Sequence, residues 1–166
     1  MLDWKAFEWS YVLYFVEGVV MFLPNFLIVL TILKQKSLRT RKEYVLIGSL
    51  ALADCLNGSA MCSAGLTRTL VLIEGNRDYH RTRRQCLTYF NLIWSFAGPT
   101  SCWMLSVLSA DRLIAVVKPI LYKKLRVKYA LVVVGTVYGI CFVVGIIYLF
   151  LLMAADKLFL TKLELG

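Results

Sequence analysis

Apolar and polar positions segregate along this chain in whole segments. Residues 11–33, 44–73, 86–117 and 129–152 form four predominantly apolar runs, separated by polar stretches at 34–43, 74–85 and 118–128. At about 1.5 Å of rise per helical residue, each run can cross a hydrocarbon core about 30 Å thick. The pattern predicts an all-α integral membrane protein with four transmembrane helices in one domain, and short tails at 1–10 and 153–166. The first ten residues have no basic n-region and no small-residue cleavage pattern follows the first run, so that run is read as a span and not as a signal peptide.

Charge orients the spans. Residues 34–43 carry Lys34, Lys36, Arg39, Arg41 and Lys42 against Glu43, and residues 118–128 carry Lys118, Lys123, Lys124, Arg126 and Lys128 with no acid. Loops of that kind stay on the cytoplasmic side, which places the N-terminus, residues 74–85 and the C-terminal tail outside. Arg77, Arg81, Arg83 and Arg84 in 74–85 pull the other way, but Glu74 and Asp78 offset them in part. The net charge of +9, in a chain 60% hydrophobic and 17% charged with mean hydropathy +0.71, therefore reports membrane topology. A nucleic-acid partner is not expected; membrane lipid is.

Catalysis finds little footing. No nucleophile stands beside a base, no carboxylates pair, and no glycine-rich phosphate loop is present, so the chain is not expected to be an enzyme. His80 lacks a second ligand at metal spacing and reads as a solvated loop residue. Cys55, Cys62, Cys102 and Cys141 lie inside apolar runs as small hydrophobes, leaving Cys86, at a helix mouth, as the one open to oxidation. Too few ionisable residues face one another for an ion path, and no internal repeat marks a transporter.

The polar residues inside the runs carry the remaining information. Glu17, Pro24 and Asn25 interrupt the first run, and Asp54 lies near the middle of the second with Asn57 and Gly58 a turn away. A lone carboxylate at that depth is either protonated or held by a cation or amide. Asn25 bonds either its own helix or a neighbour. Gly48, Ser49, Ala51, Ala53 and Ser59 permit close approach of another helix. The Asn57-Gly58-Ser59 triplet matches a glycosylation acceptor but lies within a span, out of reach of that machinery. Pro99, flanked by Trp94, Ser101 and Trp103, predicts a kinked third span and a cavity beside it. Asp111 and Arg112 stand where the third run meets the second basic loop. Charges there cost roughly 2.5 to 3.5 kcal/mol in lipid, which marks either a functional pair or a helix end whose arginine snorkels to the headgroups.

Taken in order, these motifs resemble the rhodopsin-like (class A) G protein-coupled receptors, first four of seven helices. Pro24-Asn25 is similar to the glycine-asparagine pair of the family's first helix, and Leu50-Ala51-Leu52-Ala53-Asp54 to the motif bearing the second-helix aspartate. Asp111-Arg112-Leu113 resembles the acid-arginine-aromatic motif closing the third helix, with Pro119 and Tyr122 following at the family's spacing. Within the family, the second run is most similar to nematode chemoreceptors of the serpentine receptor class sx. Proline for glycine at 24, leucine for tyrosine at 113 and Tyr138 for the usual fourth-helix tryptophan are departures.

The resemblance implies roles. Arg112 would be held by Asp111 at rest and swing toward a heterotrimeric G protein on activation, with Pro119 and Tyr122 in the loop facing that protein. Asp54, Ser101 and Asn25 would form a polar core able to take a sodium ion; no other metal and no cofactor is implied. Trp94 stands about where amine receptors place an aspartate, so it would line a cavity for some other small-molecule or peptide ligand. Cys86 would form a disulfide whose partner is absent from this chain. Four spans without the last three lead to the expectation of a truncated receptor, unable to signal alone, in the plasma membrane or retained in the endoplasmic reticulum. The alternative is a non-signalling four-helix protein that pairs with full-length receptors through the small residues of spans two and four.

Overall fold

In lipid every backbone polar group must be satisfied within the protein, and apolar runs of this length meet that demand by coiling into α-helices. A computed structural model describes residues 4–73 and 89–164. It contains α1 (Trp4–Lys34), α2 (Lys36–Arg39), α3 (Lys42–Ile73), α4 (Tyr89–Val117), α5 (Pro119–Lys124) and α6 (Val127–Glu164). Four of these are long and apolar enough to cross a membrane, over Trp9–Lys34, Lys42–Leu70, Ile93–Val117 and Val127–Leu151. The all-helical, four-span class read from the sequence stands. Residues 74–85, with His80, and the neighbouring Cys86 lie outside the described residues.

Two of the polar stretches are more ordered than a plain loop. Residues 34–43 contain α2, entered through an extended Gln35. In 118–128, Pro119 begins α5 and forces the break before it. A residue preceding proline is driven out of the α region, and Lys118 accordingly adopts φ −134, ψ 68. Proline itself is well suited to a first helical position, where its missing N–H is not needed. The C-terminal stretch also departs from a simple tail: α6 runs on to Glu164, because 153–164 holds mostly strong helix formers and neither glycine nor proline. Proline does not end α1 or α4 either, each of which continues through its own, Pro24 and Pro99.

α3 is the hub, packing on each of the other three spans, and α4 also touches α6. The α1–α3 contact is made backbone to backbone. A Cβ on Gly18 would lie 2.6 Å from the Cys62 nitrogen, one on Gly58 2.9 Å from the Gly18 carbonyl oxygen, and one on Gly65 2.7 Å from the Phe15 nitrogen. Gly58, Cys62 and Gly65 fall on one helical stripe by the spacing of four and then three residues. In lipid, where tails are as apolar as leucine, such close approach supplies van der Waals contact that the hydrophobic effect cannot. On the far side of α3, Leu46, Met104 and Ala130 are fully buried where α3, α4 and α6 meet. There the Tyr138 hydroxyl donates to the Ser49 carbonyl at 2.6 Å, and its ring meets the edge of Phe96 with centroids 6.1 Å apart. Gly135, Gly139 and Gly145 have no such neighbour: a Cβ on any of them would meet nothing within 4 Å.

Candidate functional site

Among the described residues, the end of the bundle that carries α2 and α5 holds a cluster of charged side chains. Asp111, on the last turns of α4, is 2% exposed. Because the chain breaks at Lys118 and turns into α5, Tyr122 comes back against it. The Tyr122 hydroxyl donates to Asp111 Oδ2 at 3.0 Å, and Glu43 Oε1 lies 3.3 Å from the same hydroxyl. One phenolic proton serves one carboxylate at a time. Lys42, 7% exposed, completes the grip from α3. Its Nζ donates to the Tyr122 carbonyl and lies 3.2 Å from the centroid of the ring, a cation–π contact. Burial, then the hydrogen bond and charge of Asp111 and the charge of Glu43, push the Tyr122 phenol up to about 12. It stays a neutral donor throughout the physiological range.

The expected pairing of Asp111 with Arg112 is not the arrangement found. Adjacent residues on a helix point about 100° apart and do not face each other. Asp111 is turned into the packing while Arg112 is exposed, and Arg112 makes no ion pair or hydrogen bond among the described residues. The second carboxylate oxygen, Asp111 Oδ1, is buried without a hydrogen-bond partner. Leu113 is exposed, as are Pro119 and Ile120. Lys42 and Glu43 escaped the sequence reading because both were absorbed into the charge count of a loop. Their signal was there: opposite charges at the foot of the span that bears Asp54.

The polar core is assembled less completely. Asp54 is half-buried and makes no hydrogen bond or ion pair among the described residues. By helical spacing it lies between the stripe of α3 that meets α1, with Cys55, Gly58 and Gly65, and the stripe that meets α4. Asn57 Oδ1 and Ser101 Oγ are buried without partners. Asn25 does not reach this group with its amide nitrogen, which donates to Met21 of its own helix at 2.8 Å. No group of three or more His, Cys, Asp and Glu that could hold a metal occurs among the described residues. Asp54, Asn57 and Ser101 each offer oxygen, the donor type that hard cations prefer.

Trp94 stands at the opposite end of α4. It is half exposed and borders a groove of about 440 Å³ between α4 and α6, lined with Gly98, Pro99, Val144, Gly145 and Tyr148. The lining, which also includes Ser95, carries no carboxylate, lysine, arginine or histidine.

A lipid-spanning helical bundle with a buried acid beside an exposed arginine at its basic end is the class that this geometry defines. The family described as 7 transmembrane receptor (rhodopsin family) matches residues 24–157, and the chain belongs to it. A curated relative, Cannabinoid receptor 1 of Taricha granulosa, is 29% identical over 113 residues, which make up 65% of this chain and 21% of that receptor.

Proposed function

We propose that this chain supplies the first four helices of a receptor that couples an extracellular ligand to a heterotrimeric G protein. The observation that carries the reading is the basic end of α4, where Asp111 is buried against Tyr122 and Arg112 is left exposed and unpaired. In such a receptor the exposed arginine and α5 are the surface offered to the G protein, and Tyr122 keeps α5 seated. The basic stretches 34–43 and 118–128 face the cytoplasm, the N-terminus lies outside, and the plasma membrane is the working location.

The test is a graft. Residues 24–157 replace the matching segment of a full-length rhodopsin-family receptor, and G protein activation is measured at equal surface expression. Coupling that falls by an order of magnitude or more with Arg112→Ala supports the reading. A surface-delivered graft indifferent to Arg112→Ala overturns it. Residues 1–166 expressed alone are expected to give no G protein response.

Asp54, Asn57 and Ser101 are proposed to hold a sodium ion, which would supply the positive charge that a carboxylate at this depth requires. The unpartnered Asn57 and Ser101 oxygens support that assignment. For the ligand, the groove beside Trp94 favours an apolar molecule over a charged amine. A chemosensory role of the nematode sx type is the finer proposal from the second-helix sequence. A second reading, association with full-length receptors, draws on the uncovered backbone at Gly135 and Gly139. Co-purification with such a receptor that is lost on Gly139→Leu is its test.

A further inference from the structure

No further inference is drawn: the strongest candidate, the groove between α4 and α6 beside Trp94, Pro99 and Tyr148, belongs to the ligand site already described, and nothing in the structure shows what covers its open side.

Discussion

Asp111 receives its hydrogen bond from Tyr122, eleven residues further along the chain, and none from Arg112 beside it. The consequence is a division of labour within one motif. The acid serves as an internal anchor that fixes α5 against α4, and the arginine remains available at the surface. Lys42 and Glu43 tie the same tyrosine to α3, so one residue joins three elements.

Removing that phenol should be costly. Tyr122→Phe takes the donor from a carboxylate that is 2% exposed and leaves both its oxygens without partners among the described residues. An unsatisfied buried group of this kind costs about 1–3 kcal/mol. The expected outcome is a lower thermal midpoint in detergent, measured by loss of helical circular dichroism. A midpoint equal to wild type would show that Tyr122 is not the anchor.

The same contact predicts an alkaline transition. The Tyr122 phenol is raised from its ordinary value of 10.0 to about 12 by burial and by the two acids facing it. A folded-state value above the unfolded one means that the stabilising contribution is complete below about pH 10 and is lost as pH rises through about 12. Phenolate absorbance, taken as the difference between wild type and Tyr122→Phe, should appear only toward the upper end of that window. A phenolate that forms fully at pH 10 would contradict the contact.

Glycines in this bundle separate into two kinds, and substitutions should report which is which. Alanine at Gly65 would place its Cβ 2.7 Å from the Phe15 nitrogen and 2.9 Å from the Tyr11 carbonyl oxygen, atoms of a helical backbone that cannot step aside singly. Gly65→Ala is expected to cost about 1–3 kcal/mol by forcing α1 off α3. Gly139→Ala meets nothing and gains helix propensity, worth up to about 1 kcal/mol. Thermal midpoints of the two variants should therefore move in opposite directions. Equal loss in both would mean that α6 packs on a partner through Gly139.

The four spans were legible because lipid imposes a rule visible in one dimension: a long apolar run has few options other than a helix. The cluster around Tyr122 was only half legible. Asp111, Pro119 and Tyr122 announce themselves by residue type and spacing, whereas the place of Lys42 and Glu43 depends on how α5 folds back toward α3, a contact some eighty residues long-range in sequence. Pairing Asp111 with Arg112 failed for a local reason, since neighbours on a helix diverge. Gly18 and Gly65 are not legible in the sequence, because a single glycine in an apolar run shows nothing of what faces it. Gly135 and Gly139 looked alike in sequence and turned out open.

Lys42 offers a test of whether α5 is held as a unit. Its Nζ bonds the Tyr122 carbonyl, which also accepts from the Leu125 amide at 3.2 Å, and its charge lies over the ring. Lys42→Met keeps most of the buried stem and removes the charge, so packing is preserved while the grip on Tyr122 is lost. A hydrogen bond from a charged donor contributes about 1.5–3 kcal/mol, and release of that restraint should let α5 open more often. Hydrogen exchange at Tyr122 and Leu125 is expected to accelerate by about tenfold or more, with amides in the middle of α3 and α4 unchanged. Acceleration spread evenly over all helices would mean that Lys42 supports the bundle as a whole. If exchange in α5 is unaltered, then Asp111 and Glu43 hold Tyr122 without it, and the seat of α5 depends on the hydroxyl alone.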